Sequence, residues 1–492
     1  MASPLYIAVD LGAGSGRVYL AGVGQDEFFL KEVHRFQYPP TVEDEHLRWN
    51  FEQILAEIRQ GLRNAARYAD GLGRPVQSIA VDSWAVDFGL LDIDGKLVEN
   101  PICYRDHRTD GVMERVFATV SKAEIFEKTG IQFQNFNTLY QLVSSDISPD
   151  SDRLLLLPDL IGFLLTGTAV AEYTNATTTQ MVNAATGDWD RDLMERLDIP
   201  VRLLPTIVSA GFDLGPLDPA IGADVDLYDV HVIAPATHDT GSAVAGIPLA
   251  ERSAYISSGT WSLVGVENRQ PLISDQVSHY NFTNEGGVYG TFRFLKNVMG
   301  LWIFESCRRE WKESGIDIGY EALLRDVTAT EEIGEFIFPD DPRFLNPPSM
   351  LDAIATQLRE TDQDFEEDPV WISKLIFNSL AFRYASVLRC IELLTARKIE
   401  NVQIVGGGGR NRYLNQMTAN ACGLRTMAGL TEATVVGNVL VQAISSGRFS
   451  NLNEGRRHVA ENFEFEQFVP QRSAGLSEAA KQYAAIEARF LD

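Results

Sequence analysis

Two segments of this 492-residue chain share one design, and that repetition restricts the fold more than any other feature. The first is an apolar run ending in a carboxylate, Tyr6-Ile-Ala-Val-Asp10, then the glycine turn Leu11-Gly-Ala-Gly-Ser-Gly-Arg17, then the β-type run Val18-Tyr-Leu-Ala-Gly-Val23. The second is Ser253-Ala-Tyr-Ile-Ser-Ser-Gly-Thr-Trp-Ser-Leu-Val-Gly-Val266, with its small-residue turn at Ser258-Gly259-Thr260. Each half opens as strand, tight turn, strand. An α/β chain of two lobes follows, with the boundary near Ile247-Pro248.

The intervening sequence supplies helices and further strands. Ile54, Leu55, Ile58 and Leu62 predict an amphipathic helix from about Phe51 to Tyr68, stopped by Gly71 and Gly73. Ser78-Ile-Ala-Val-Asp82 and Val86-Asp-Phe-Gly-Leu-Leu91 read as a second hairpin, with Asp94-Gly95 turning toward the next element. Val230-His-Val-Ile-Ala-Pro-Ala236 reads as a buried strand that leads through Thr237-His-Asp-Thr-Gly-Ser242 into the small-residue helix Ala243-Val-Ala-Gly246. The proline-rich, acidic stretch 341–370 reads as an exposed loop before a helix over Val370–Ala396. Strand Asn401–Val405, glycines Gly406 to Gly409 and a helix over Arg412–Cys422 then form a second candidate anion loop.

Composition removes several function classes. A hydrophobic fraction of 45% allows large cores, while a net charge of −26 opposes both nucleic acid and anionic lipid, which need a basic face. Cys103, Cys307, Cys390 and Cys422 contain no close pair, so neither a metal cluster nor a disulfide framework is expected. With no signal segment and no apolar run long enough to span a bilayer, the expected location is the cytoplasm. No H-E-x-x-H pair occurs among the histidines, and of them only His238 has chemically interesting neighbours.

Glycine turns admit phosphate oxygens close to main-chain N–H groups, although they serve equally as hairpin connections. Asp10 favours the first use at residues 13–17, because a carboxylate ending an apolar strand needs compensation and Mg²⁺ beside a triphosphate supplies it. A dinucleotide fingerprint does not fit: its third glycine falls on Arg17, and a β-prone run follows where a helix is required. No G-x-x-x-x-G-K-[ST] run is present either. Asp239, between His238 and Thr240 at a strand-to-helix junction, suits two roles, a helix cap or a general base for a hydroxyl.

The chain resembles the FGGY carbohydrate kinases of the actin-like ATPase class, and within them the L-rhamnulose kinases, over nearly its whole length. The segments that carry the resemblance are Val9-Asp-Leu-Gly-Ala-Gly-Ser-Gly-Arg17, Val81-Asp-Ser-Trp-Ala-Val-Asp-Phe88, Gly130-Ile-Gln-Phe133 and Asn137-Thr-Leu-Tyr-Gln141 in the first half. They continue through Ala236-Thr-His-Asp-Thr240, Ser257-Ser-Gly-Thr-Trp261, Thr283-Asn-Glu-Gly-Gly287, Leu295-Lys-Asn-Val-Met-Gly300 and Val405-Gly-Gly-Gly408.

The resemblance implies two actin-like (ribonuclease H-like) lobes with a substrate cleft between them. Residues 1–247 would form the N-terminal lobe, with sugar binding and the catalytic base, and 248–492 the nucleotide-binding C-terminal lobe. It implies ATP-dependent phosphorylation of a ketose, L-rhamnulose first, with Mg²⁺ and with Asp239 as proton acceptor. L-fuculose or xylulose kinases and a non-catalytic sugar and nucleotide sensor of the same fold are the alternatives. Ala13, Gly14, Ser15, Gly16, Arg17 and Thr260 are then expected at the nucleotide phosphates, and Gly407 and Asn411 at the adenosine. Ala85 through its main chain, His238, Thr240 and Asn297 are expected at the sugar and Asp10 at the metal, with Asp87 and Arg108 as further candidates. The expected partners are a small-molecule sugar and ATP, for a monomer or homodimer. Two positions depart from the pattern: Ala85 stands where it has glycine, and Glu305, near the nucleotide, where it has glutamine.

Overall fold

A computed structural model describes residues 3–471 and 474–491. The elements that position the site begin with β1 (Leu5–Gly12), β2 (Ser15–Val23), β3 (Phe28–Gln37), α1 (Phe51–Leu72), β4 (Val76–Ser83), β5 (Asp213–Pro216), β6 (His231–Ile233) and α2 (Asp239–Gly246). They continue with β7 (Ser253–Ser258), β8 (Trp261–Asn268), β9 (Phe292–Met299), α3 (Trp302–Glu313), α4 (Pro369–Thr395), β10 (Asn401–Val405), α5 (Arg412–Cys422), β11 (Arg425–Gly429), α6 (Ala433–Ser445) and β12 (Phe465–Phe468).

Two compact units result. The first combines Met1–Pro248 with Glu267–Phe294 and Ala433–Asn462, and the second combines Leu249–Val266, Leu295–Glu432 and Phe463–Asp492; residues 1, 2, 472, 473 and 492 of these ranges lie outside the described residues.

In the first unit a sheet runs in the order β5-β6-β4-β1-β2-β3. β1 pairs antiparallel with β2 and parallel with β4, and β6 adds parallel to β4. β1 is buried along Leu5–Leu11, the expected signature of a central strand covered on both faces. Asn50 starts α1 by accepting from Gln53 N, Gly73 ends it at φ +62°, and Phe51, Ile54, Ile58 and Leu62 form its buried stripe.

In the second unit the strands run β9-β8-β7-β10-β11-β12. β7 pairs antiparallel with β8 and parallel with β10, repeating the relation of β1 to β2 and β4. The echo between the two halves of the sequence is therefore an echo of topology. α4 is buried over nearly all of Trp371–Leu388, so its apolar residues lack a single stripe.

Three local expectations change. Residues 76–83 and 88–91 are not a hairpin: β4 joins β1, while Phe88–Leu91 pairs antiparallel with Arg153–Leu156 in a separate two-stranded sheet. The break falls at Val86, whose φ of +69° turns the chain out of the strand direction. The stretch 341–370 is not all loop: Met350–Glu360 is helical, capped by Ser349 accepting from Asp352 N, and buries Met350, Ile354 and Leu358 at helical spacing. The strand expected over 230–236 is limited to His231–Ile233, because Pro235 lacks the N–H a ladder needs. Among the described residues no helix is long and apolar enough to cross a membrane.

Candidate active site

The first unit gathers its chemically active residues at the carboxyl ends of β1, β4 and β6, where parallel strands leave main-chain groups and loops available to ligands. Asp10, 3% exposed, faces Arg17 across the β1–β2 ladder and Asp82 across the β1–β4 ladder. Arg17 Nη2 lies 2.8 Å from Asp10 Oδ2. Asp82 is fully buried; its Oδ2 accepts from Asn438 Nδ2 at 2.6 Å, whereas Oδ1 has no hydrogen-bond partner among the described residues. Burial, and secondly the charge of Asp10, push the Asp82 carboxyl well above the usual range.

Ala13 and Gly14 form the tight turn between β1 and β2, and Ser15, Gly16 and Arg17 open β2. Gly14 has φ +134°, and a Cβ on Gly16 would run into the Phe36 ring. Tyr38 braces the turn: its hydroxyl lies 2.7 Å from Gly12 O and 3.0 Å from Ser15 O, and its N–H donates to Gly14 O at 3.0 Å.

Asp239 is the first residue of α2, and His238 holds the cap position without a side-chain capping bond. The helix starts here because Thr237 and His238 are held extended: Ser83 N donates to Thr237 O at 2.9 Å, and Ser83 bridges to His238. Asp239 Oδ1 accepts from Thr240 N at 2.6 Å and from Thr240 Oγ1 at 3.0 Å. Its Oδ2 makes no hydrogen bond among the described residues, and the side chain is 29% exposed. One oxygen is fixed and the other is available to a proton, as a base requires. Small residues let α2 pack closely on α6: a Cβ on Gly437 would collide with Ser242 O, and one on Gly246 would come 2.6 Å from Ala433 O.

Ala85 lies just beyond β4. Asp87 N donates to Ala85 O at 2.9 Å, closing a three-residue turn around Val86 with its positive φ, the strained form of such turns. Thr138 Oγ1 and Gln141 Nε2 hold Val86 O at 2.7 and 3.2 Å. The Asp87 carboxylate is buried as an anchor, with Oδ2 accepting from Trp49 Nε1 at 2.7 Å, Trp84 Nε1 at 2.9 Å and Tyr104 N at 3.2 Å. Burial pushes its pKa up to about 6 against these donors. Arg108 is linked to it through Gln141, which accepts from Arg108 Nη2 at 2.6 Å and donates to Asp87 Oδ1 at 3.3 Å.

The second unit carries the other expected residues. The turn Ser258-Gly259-Thr260 is fastened to the start of α3: Gly300 N and Trp302 N donate to Thr260 O at 3.1 and 3.2 Å. Gly300 permits this approach, since a Cβ there would lie 2.8 Å from Gly259 O. The loop from Gly406 packs on the same turn, with Gly406 at φ +81° and a would-be Cβ 2.8 Å from Ser258 O. Gly407 begins a short 3₁₀ turn, and the buried Asn411 caps α5 by accepting from Leu414 N at 3.0 Å. Asn297 lies on β9, and Glu305 in the first turn of α3, where Arg308 Nη1 pairs with it at 3.0 Å. The anion that replaces the family glutamine thus has a cation of its own helix beside it.

Within the first unit, Asp10 and Arg17 come together, as do His238, Asp239 and Thr240; Asp10 and Asp239 both act electrostatically on Tyr38 and Asp82. Sequence reasoning missed Tyr38, Glu172 and Arg293. Glu172, fully buried, accepts from Thr237 N and Thr237 Oγ1, and nothing in its local sequence signals that role. Arg293 is adjacent to the Thr283-Asn-Glu-Gly-Gly287 motif in space, donating from Nε to Gly286 O at 2.9 Å.

The N-terminal domain of the FGGY family of carbohydrate kinases matches residues 5–246, and the C-terminal domain of that family matches residues 254–446. A protein named rhamnulokinase from Oceanobacillus iheyensis is 40% identical over 93% of this chain and 97% of its own. Proteins of the same name from Bacillus subtilis and Bacteroides thetaiotaomicron are 38% and 40% identical, each over 95% of this chain and 96% of their own. Crystal structures of a gluconate kinase from Lactobacillus acidophilus and of Plasmodium falciparum glycerol kinase with ADP each superpose with a TM-score of 0.80. The first covers 99% of this chain and 97% of its own at 15% identity, the second 100% and 99% at 13%, so they speak for the actin-like fold alone. On these matches, which span most of both halves, the chain belongs to the FGGY family of carbohydrate kinases and is an ATP-dependent carbohydrate kinase.

Proposed function

We propose that this kinase transfers the γ-phosphoryl group of ATP to the 1-hydroxyl of L-rhamnulose, giving ADP and L-rhamnulose 1-phosphate. The sugar is inferred from relatives named rhamnulokinase that align over nearly the full length of both chains. The observation that carries the mechanism is the Asp239 carboxylate, with Oδ1 held by Thr240 and Oδ2 open. Oδ2 takes the hydroxyl proton as the sugar oxygen bonds to the γ-phosphorus. The bond from that phosphorus to the β–γ bridging oxygen breaks, and its electron pair leaves with ADP.

The remaining assignments support positioning, which supplies most of the rate in phosphoryl transfer. Ala85 through its main chain, His238, Thr240 and Asn297 bind the sugar. Ala13 to Arg17 and Thr260 contact the phosphates, and Gly407 and Asn411 the adenosine; Glu305, paired with Arg308, contributes a neutralised side chain. The first unit thus supplies the base, most of the sugar contacts and the phosphate turn at 13–17, and the second supplies Asn297, Thr260 and the adenosine contacts. Mg²⁺ fits the donor set of the first unit, where Asp10 would hold it and the orphaned, buried Asp82 Oδ1 offers a further hard oxygen. Bound with ATP, it offsets negative charge on the phosphates. The enzyme acts in the cytoplasm as a monomer or homodimer.

ADP release measured over a ketose panel tests this function. Turnover highest with L-rhamnulose is expected, and no sugar-dependent ADP above background contradicts it.

A further inference from the structure

His238 is 7% exposed, yet both its ring nitrogens face polar atoms of the first unit. On one side stands Arg293, wholly buried, with Nη2 2.9 Å from His238 Nδ1 and 3.0 Å from Glu285 Oε2. On the other, His238 Nε2 lies 3.4 Å from Thr240 Oγ1 and 3.5 Å from Asp239 Oδ1. Arg293, Glu285 and Asp239 are the charged groups facing the ring, with the buried Glu172 beyond Thr237.

A guanidinium only donates hydrogen bonds and keeps its charge in any protein environment. An arginine N–H aimed at Nδ1 therefore requires a bare lone pair there, and the single proton of a neutral imidazole must sit on Nε2. Glu285 Oε2 is 3.4 Å from Nδ1, farther than Arg293, and its short contact is to the guanidinium. Glu285 thus compensates the buried cation. From Arg293 the donors run in one direction: Arg293 to His238, His238 Nε2–H toward Thr240 Oγ1, and Thr240 Oγ1 to Asp239 Oδ1.

We infer that Arg293, held by Glu285, is a positioning residue that fixes His238 as the neutral Nε2–H tautomer and so directs a chain of donors onto Asp239 Oδ1, leaving Oδ2 as the basic oxygen. The inference rests on the proposed role of Asp239. It gives the Thr283-Asn-Glu-Gly-Gly287 motif a task through Glu285 and Gly286, which together orient the guanidinium. An imidazole held this way is a fixed donor.

The test is side-chain ¹⁵N NMR on the full-length protein labelled at histidine, with the His238 signals assigned by their loss in His238→Gln. The wild-type protein is expected to show a bare Nδ1 and a protonated Nε2 at pH about 7. An Nδ1–H ring or an imidazolium at pH about 7 overturns the inference without any variant having to fold. Arg293→Met, and Arg293→Met with Glu285→Gln to avoid an unpaired buried carboxylate, should release the tautomer. In both, kcat should fall roughly 10- to 100-fold with KM for ATP unchanged, and the acidic limb of the kcat profile should move to higher pH. Variants that keep the wild-type tautomer, kcat and acidic limb also overturn it. Wild-type turnover in Asp239→Asn would instead remove the role of Asp239, an outcome read independently of the His238 spectrum.

Discussion

Glu172 receives Thr237 twice: its Oε2 accepts from the Thr237 N–H at 2.9 Å and lies 3.2 Å from the Thr237 hydroxyl. The same oxygen accepts from Thr174 N at 3.0 Å and Thr174 Oγ1 at 2.5 Å, and Thr174 Oγ1 in turn meets His238 N at 3.3 Å. One buried carboxylate thereby orders the two residues that precede Asp239. Glu172→Ala strands several donors and should cost on the order of 3 kcal/mol in urea unfolding, with kcat falling as well. Glu172→Gln, which keeps an acceptor in place, should be clearly milder. Equal stability of Glu172→Ala and wild type would remove Glu172 from this role.

Asp87 gives a pH dependence with a definite sign. Its folded pKa is raised from 3.8 to about 6, chiefly by burial, so between these values the folded protein binds the proton more strongly than the unfolded chain. The stability from this group is fully present below pH 3.8 and is lost as pH rises through about 6. Two pKa units correspond to about 3 kcal/mol as an order of magnitude. Asp87→Asn keeps an acceptor for the tryptophan indoles and cannot titrate. The unfolding free energy of the variant relative to wild type should therefore rise between about pH 4 and about pH 6, and a constant difference would count against the shift.

The contact of α2 with α6 predicts intolerance to a single methyl. Gly437→Ala places a Cβ against Ser242 O in the helix that begins at Asp239. The variant should lose about 1–3 kcal/mol of stability, read as a lowered Tm, and should also lose turnover. Gly447→Ala is a poor control, since Gly447 has φ +75°; Gly71→Ala, in the open surface of α1, should leave Tm unchanged or raised.

Specificity should respond at Ala85, whose carbonyl closes the strained turn over Val86. Ala85→Gly removes a methyl where the main chain is proposed to meet the sugar. The ratio of kcat/KM for L-rhamnulose over L-fuculose should change by about fivefold or more, corresponding to about 1 kcal/mol. An unchanged ratio would assign specificity to other residues.

The glycine hairpins, the amphipathic helix over 51–72 and the strand-to-helix junction at Asp239 were legible in the sequence because each depends on neighbouring residues. The helix at 350–360 was hidden by flanking proline and acid, although Met350, Ile354 and Leu358 carry its periodicity. The false hairpin at 78–91 has a tertiary cause: β4 finds a parallel partner in β1, more than sixty residues earlier, and Val86 pays in backbone strain. Asp87 was readable only as a further site candidate, because the three donors on its Oδ2, from Trp49, Trp84 and Tyr104, are brought together only by folding. Arg293 and Glu172 escaped for the same reason, since each acts on residues more than fifty positions away.

The most direct test of the account is the sugar-dependent turnover of Asp239→Asn with ATP and L-rhamnulose. The substitution keeps the shape of the side chain and the acceptor facing Thr240 but removes the base. The account predicts a fall of roughly 10²- to 10⁴-fold in kcat with ATP binding retained. A turnover number equal to that of the wild-type enzyme would contradict it.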